Sequence, residues 1–386
     1  MSSLTRAASV SDFRAAASRR LPKILFEYLD GGAYDEVTLR RNVEDMRAMS
    51  LRQRVMRDMS LLDTGIESLG QRFSMPVGLS PVGLAGMYAR RGEVQAARAA
   101  AQAGIPFSLS TVGICSVEEV ARDAAPPWFQ LYVLKDRGYM RALVNRAKAA
   151  GSPVLLLTVD LPVPGARHRD VRSGFRGLTG FPAVANRLWD GLTHLRWVWD
   201  VWLHGRPHSL GCVADALGAG GSGSDYLTWI ANNFDRSVTW SDLEWIRAEW
   251  DRPIVIKGVL DAQDARDSVK VGAQGIVVSN HGGRQLDGVR SSISALPRIV
   301  DAVGADLEVF LDGGVRSGLD VLKALALGAK ACFIGRPWVY ALGAGGQPAV
   351  SQLLAAMRAE LEVAMILTGC RKLADAGREL IDAELA

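Results

Sequence analysis

Cysteine is scarce: Cys115, Cys212, Cys332 and Cys370 are the only four in 386 residues. They stand far apart, with no CxxC or Cys/His spacing, so neither a disulfide framework nor a bound metal is expected. Thiols without partners suit a reducing compartment. Long apolar runs are missing too. The longest stretch without charge, 99–117, contains Gly104, Pro106 and several hydroxyls. It reads as a helix end, a turn and a buried strand rather than a membrane span. The opening "MSSLTRAASVSDFRAAASRR" has no apolar centre of the kind a signal peptide carries. No long run of one charge occurs and the net charge is only +4, so nucleic acid is not an expected partner. No GxGxxG follows an early strand, which counts against a dinucleotide-binding sheet.

What is present is a rhythm. Short apolar runs recur, each followed by polar or glycine-rich residues and then a helical pattern. They are "MPVGLS" (75–80), "IPFSLS" (105–110), "WFQLYV" (128–133), "PVLLLTV" (153–159), "RPIVIKG" (252–258), "GIVVSN" (275–280), "LEVFLD" (307–312) and "ACFIG" (331–335). Continuous apolarity implies strands covered on both faces, as in parallel sheets. Eight strand–helix units predict an α/β fold of the (β/α)8 TIM-barrel type, preceded by an N-terminal helical segment. A doubly wound sheet is the alternative. The chain is read as a single domain, 1–386, with an insert at about 172–240.

That insert breaks the rhythm after strand four. Its middle, "NRLWDGLTHLRWVWDVWLHGR", places Leu188, Leu192, Leu195, Trp199 and Trp202 on one helical face, bordered by Arg187, Arg196, His204 and Arg206. Aromatic rings beside basic side chains suit a lipid interface. A lid packed on the barrel, or a subunit contact, is the competing reading. The glycine-rich 218–225 reads as a flexible joint.

Barrel enzymes carry their chemistry at the C-terminal ends of the strands. In strand order those ends supply Pro81, Val82 and Gly83; Ser110 and Thr111; Gln130 and Tyr132; Thr158 and Asp160, with Arg167 beyond; Lys257; Ser279, His281 and Arg284; Asp312; and Gly335 and Arg336. A lone strand-end histidine is more often a solvated or packed residue than a base. So many ionisable groups converging on one mouth resist that explanation, because buried charge needs partners. "DGGVRSG" (312–318) and "GRP" (335–337) offer backbone N–H groups of Gly313, Gly314 and Gly335 with Arg316 and Arg336, a set suited to a phosphate. Ordinary glycine turns are the plain alternative. A phosphate held there would leave a ring system over the barrel centre. Ser110, Gln130 and Thr158 suit the edge of a flavin, and Lys257 suits negative charge on it. His281 could accept a proton, with Asp160 orienting its ring. Arg167 and Arg284 could clamp a carboxylate, with Tyr132 donating to the same anion.

"SNHGGRQLDG", "FQLYV", "TVDLPVPGARHRD", "VIKGV", "LDGGVRSG" and "IGRP" resemble the FMN-dependent 2-hydroxy acid dehydrogenases and oxidases. The resemblance runs from "FEYLDGGAYDEVTLRRN" (26–42) to "VAMILTGC" (363–370). "LSPVGLAGMYARRGEVQAA", "RWVWDVWLHGRPHSLG" and "NNFDRSVTWSDLEWIR" bring it closest to a bacterial, membrane-associated branch acting on L-lactate. It implies FMN as cofactor, His281 as base with Asp160 as its partner, and Arg167, Arg284, Tyr28 and Tyr132 on the substrate. It also implies flavin contacts from Pro81, Val82, Gly83, Ser110, Gln130, Thr158, Lys257 and Ser279, and phosphate contacts within the stretch from Asp312 to Arg336. In this family the turn "SPVG" lies near the flavin. The implied reaction is oxidation of L-lactate to pyruvate, with electrons passed to a quinone or cytochrome-type acceptor. Other 2-hydroxy acids such as mandelate or glycolate, or oxygen as acceptor, are the nearest alternatives. A non-catalytic anion-binding barrel is a rival of another class, as is a structural membrane protein built round the insert. The resemblance further implies a homo-oligomer, a homotetramer, attached peripherally to the cytoplasmic side of the inner membrane.

Overall fold

The computed structural model describes residues 6–175, 189–214 and 232–382. Eight parallel strands form the centre: β1 (Val77–Leu79), β2 (Ser108–Ser110), β3 (Trp128–Tyr132), β4 (Leu155–Thr158), β5 (Ile254–Val259), β6 (Gly275–Val278), β7 (Glu308–Asp312) and β8 (Ala331–Ile334). Each pairs with its sequence neighbour, and β8 returns to β1, with Cys332 opposite Val77. The remaining seam, between β1 and β2, is a single parallel bridge, Leu79 to Phe107. The expected TIM barrel is the observed architecture.

A helix follows every strand: Gly92–Ala103, Val117–Asp123, Arg137–Ala149, Asp242–Glu249, Ala262–Lys270, Ser292–Val303, Gly318–Ala326 and Arg336–Thr368. Several begin where a short polar side chain accepts from the first turn. Ser116, Asp136, Asp261, Ser291 and Ser317 all do this, which satisfies N–H groups that have no helical partner. The last helix is two helices joined at a kink, where Gly345 and Gly346 leave helical geometry. Three N-terminal helices, Val10–Arg20, Lys23–Asp30 and Val37–Ala48, precede the barrel.

The strands are buried on both faces, but the faces differ. Side chains alternate along a strand. Phe129, Leu131, Leu155, Leu157, Ile254 and Ile256 point outward into the core shared with the helices. Trp128, Val154, Leu156, Val255, Val277, Phe310, Ala331 and Phe333 fill the barrel itself. The Trp128, Phe310 and Phe333 rings lie 5.5–6.1 Å apart, tilted or edge-on, an arrangement aromatic quadrupoles favour. Gly78 makes room for this floor, since a Cβ there would lie 2.5 Å from the Phe333 ring. Continuing the same alternation upward puts Ser80, Ser110, Gln130, Thr158, Lys257, Ser279 and Asp312 on the inward face, one layer above the aromatics. The register sets Ser110 beside Gln130, and Tyr132, Thr158 and Lys257 in one row.

The insert departs from a continuous amphipathic helix. Its helical geometry breaks at His194, resumes at Leu195–Trp197 and widens into a π-helical turn at Val198–Leu203. Trp197 and Val201 are buried, whereas Leu192, Leu195, Trp199 and Trp202 are exposed, Trp199 to 64%. The Trp197 indole N–H donates to Met87 O (2.8 Å), and Arg20 pairs with Asp200 at 3.2 Å. Farther on, Cys212 O accepts from Tyr139 and Arg146. Arg187, Leu188 and the 218–225 joint lie outside the described residues. No described helix is long and apolar enough to cross a membrane.

Candidate active site

The loop after β6, "SNHGGRQLDG", is built by its own backbone demands. His281, Gly282 and Gly283 all take positive φ, at 57°, 63° and 71°. For a non-glycine residue this costs roughly 1–2 kcal/mol, so the two glycines confine that cost to the histidine. They also let other chain segments approach. A Cβ on Gly282 would stand 2.8 Å from Arg336 Nη1, and one on Gly283 2.6 Å from Leu39 N. They let the loop fold against Arg336 and the Val37–Ala48 helix. Asn280 locks the loop, exchanging hydrogen bonds with Asn42 and accepting from Gly283 N. Asp287 accepts from Val37 N and Thr38 N, a carboxylate at a helix N-terminus.

His281 Nδ1 lies 2.9 Å from Asp160 Oδ1. Gln285 supports this pair by donating to the Asp160 and Val163 carbonyls at 2.9 Å. Asp160 is half-buried, and its loss of solvent alone would raise its pKa, but His281 and then Lys257 outweigh that and lower it. It is thus an ionised acceptor that fixes the ring and leaves Nε2 free for the cavity that His281 lines.

Lys257 is 4% exposed, so it is no surface charge. Its Nζ pairs with Asp312 Oδ2 at 2.8 Å and donates to Ser279 Oγ at 3.0 Å. Burial pulls its pKa down; Asp312 and Asp160 more than offset this and raise it. Ser279 Oγ also accepts from His281 N, which couples the lysine to the histidine loop.

At the mouth, Arg284 Nη1 donates to the carbonyls of Tyr28, Leu29 and Gly31. Its guanidinium lies 4.9 Å from the centre of the Tyr28 ring, and that of Arg167 lies 5.7 Å from it. Phe175 stacks on the same ring at 4.2 Å. Arg167 Nε donates to Arg284 O at 3.3 Å. Two cations and a phenol from three distant segments therefore share one end of the cavity, which Tyr28, Arg167, Arg284 and Tyr132 all line.

The other end is the glycine-rich one. Gly313, Gly314, Arg316, Gly335 and Arg336 line it together with Pro81, Val82 and Gly83. Among the described residues Arg336 donates to carbonyls alone, those of Leu29, Gly31 and Gly282. Burial first, then the like charge of Arg284, pushes its pKa down to about 9. Burial depresses Arg316 too. A cavity end holding two guanidiniums is short of negative charge, as a phosphate-binding end should be.

Ser110, Gln130, Thr158 and Ser279 do not line the open cavity but stand buried beside it, and Asp160 stands half-buried behind His281. Gln130 Nε2, Thr158 Oγ1 and Asp312 Oδ1 have no hydrogen-bond partner among the described residues. Buried polar atoms seldom stay unsatisfied. A planar group with ring carbonyls and N–H, its phosphate against Arg316 and Arg336, answers that shortage, so these residues fit FMN. Among the described residues no cluster suited to a metal ion occurs.

The sequence reading missed Tyr88, Val112, Leu161, Pro164 and Phe234, all of which line the cavity. Val112, Leu161 and Pro164 lie on the loops that follow β2 and β4, whereas Tyr88 and Phe234 come from farther along their connecting segments. Phe234 arrives from the close of the insert, packed 5.1 Å from the Tyr132 ring.

The FMN-dependent dehydrogenase family description matches residues 17–383. The chain is 57% identical over 370 residues to an L-lactate dehydrogenase of Chromohalobacter salexigens, covering 96% of this chain and 94% of that one. It is 56% identical over 372 residues to an L-lactate dehydrogenase of Ectopseudomonas mendocina, covering 96% and 97%. Among solved structures, it superposes on the monotopic membrane protein (S)-mandelate dehydrogenase with a TM-score of 0.92 at 34% identity, covering 98% and 100%. Mandelate oxidase gives 0.82 at 37%, covering 97% and 98%. With the barrel, the phosphate end and these matches together, the chain belongs to the FMN-dependent dehydrogenases.

Proposed function

We propose that the protein oxidises L-lactate to pyruvate, with FMN as its resident cofactor and a respiratory quinone or similar carrier as electron acceptor. The observation that carries this reading is the joining of the His281–Asp160 hydrogen bond to the Arg284–Tyr28–Arg167 cluster in one cavity. A base and an anion clamp at that spacing address one small hydroxy acid. The choice of lactate is supported by the L-lactate dehydrogenases at 56–57% identity; the mandelate enzymes are more distant in sequence.

When bound, FMN supplies a two-electron sink. The protein supplies the rest. Arg284 and Arg167 hold the carboxylate, and Arg284 Nη2 makes no hydrogen bond to the described residues, so it is available for that anion. Tyr28 and Tyr132 address the carboxylate and hydroxyl. Oxidation breaks the α C–H and the hydroxyl O–H bonds as the C–O bond becomes double; His281 Nε2 accepts one of the two hydrogens as a proton, the other hydrogen and the electron pair being left to the sink that FMN would supply, and Asp160 stabilises the resulting imidazolium. Lys257 would place a positive charge near the flavin ring, while Ser110, Gln130, Thr158 and Ser279 would offer it hydrogen bonds. Pro81, Val82 and Gly83 would contact it, and Gly313, Gly314, Arg316, Gly335 and Arg336 would hold the phosphate, with Asp312 pairing Lys257.

Peripheral attachment to the cytoplasmic side of the membrane, as a homo-oligomer, completes the proposal. Exposed Trp199, Trp202, Leu192 and Leu195 support the membrane contact, as does the monotopic character of the mandelate dehydrogenase neighbour. Free, buried cysteines favour the cytoplasmic side.

The test is anaerobic mixing of the FMN-loaded protein with L-lactate, D-lactate, glycolate and (S)-mandelate. Fastest bleaching by L-lactate is the expected result. Preference for mandelate would move the assignment to a larger substrate, and no bleaching by any of them would defeat it.

A further inference from the structure

Tyr88 ends the short Ala85–Met87 turn that follows the 81–83 segment. Its position is tightly determined. Leu84 N donates to Val112 O, and a Cβ on Gly86 would lie 2.6 Å from Ile114 Cβ, so the turn packs hard against the loop after β2. On its other side Met87 O accepts from Trp197 of the insert. The Tyr88 ring lines the cavity and is 1% exposed. Its hydroxyl has no hydrogen-bond partner among the described residues.

The surroundings of this hydroxyl define what it lacks. Burial raises its pKa well above that of a free phenol, with Tyr28 and Asp170 adding to this, while Arg284 and Arg167, which line the same cavity, act against it. It therefore remains a neutral O–H at neutral pH. An O–H cannot donate to a guanidinium, since arginine has no acceptor. What would satisfy it is an anionic oxygen held by those same arginines.

We infer that Tyr88 is a substrate-binding residue whose hydroxyl donates to the carboxylate of the bound 2-hydroxy acid, alongside Arg284 and Arg167. This rests on the proposed activity and adds a contact from a segment outside the strand ends. It also connects substrate binding to the turn on which the insert rests.

The variant is Tyr88→Phe, which keeps the ring and removes one oxygen. Two readouts are needed: anaerobic bleaching by L-lactate, and titration of the oxidised FMN-loaded protein with oxalate, a carboxylate that does not react. The lactate concentration giving half-maximal bleaching rate and the oxalate dissociation constant should both rise about tenfold or more, as for loss of one charge-assisted hydrogen bond. The limiting bleaching rate should stay within about threefold, since the base is untouched. Unchanged oxalate and lactate affinities would overturn the inference. So would loss of FMN or of thermal stability, which would make Tyr88 a packing residue. If the wild-type protein bleaches with no 2-hydroxy acid, the proposed activity fails, and the oxalate titration alone still decides the role of Tyr88.

Discussion

At the scale of single residues, His281 sits in a strained backbone conformation beside a half-buried, ionised aspartate. Strain of this kind persists where the surroundings enforce it, and here Asn280, Gly282 and Gly283 do so. His281→Ala should keep FMN, since its phosphate end is elsewhere, yet slow bleaching by L-lactate by at least ~10²-fold. A near-normal rate with full flavin content would remove the histidine from the reaction. Much of this neighbourhood was legible in the sequence, because the strands alternate: the polar residue after each apolar run had to point up into one mouth. Lys257 illustrates the limit. Its place at a strand end was visible, but its burial against Asp312 and Ser279 depends on β5, β6 and β7 lying side by side. Tyr88 and Phe234 gave no signal of their own, since each reaches the cavity from a connecting segment whose path only the folded chain sets.

Between elements, Asp30 is a clasp. It accepts from Arg14 at 2.6 and 2.7 Å, from Arg169 at 3.0 Å and from Tyr340 at 2.6 Å, joining two N-terminal helices, the segment after β4 and the last helix. Burial would raise its pKa, but Arg14, Tyr340 and Arg169 more than offset that and hold it well below the carboxylate range. A depressed folded-state pKa stabilises the protein fully above the unfolded value of about 4 and progressively less below it. Asp30→Asn should therefore lower Tm at pH 7, with the deficit shrinking as pH drops below ~4. A deficit of constant size across that range would mean that packing, not charge, holds the clasp. The insert calls for a separate measurement. Sedimentation with anionic vesicles should recover the wild-type protein, while Trp199→Ser/Trp202→Ser stays in the supernatant with bleaching intact. Wild-type protein left in the supernatant would make the exposed face a lid or a subunit contact. Periodicity identified the apolar side of this segment. It could not reveal the break at His194 or the π-helical turn, which bring Trp197 onto Met87 and leave Trp199 and Trp202 facing outward.

For the molecule as a whole, eight apolar runs with helices between them made the barrel predictable, since each run is hidden on both faces. The single-bridge seam between β1 and β2 was not predictable, because strand runs carry no record of how many hydrogen bonds each neighbour will exchange. Neither was the aromatic floor, which needs Trp128, Phe310 and Phe333 to converge from three strands. That floor has a kinetic consequence. With the barrel closed below by tilted and edge-on rings, a molecule approaching the flavin from beneath would find no passage. An oxidant that collects electrons by contact must then use the same mouth as the hydroxy acid, after the keto product has gone. Steady-state rates measured against both reactants should give parallel double-reciprocal lines, the mark of a ping-pong sequence; lines that intersect would mean that both reactants occupy the protein together, by way of a second approach to the flavin.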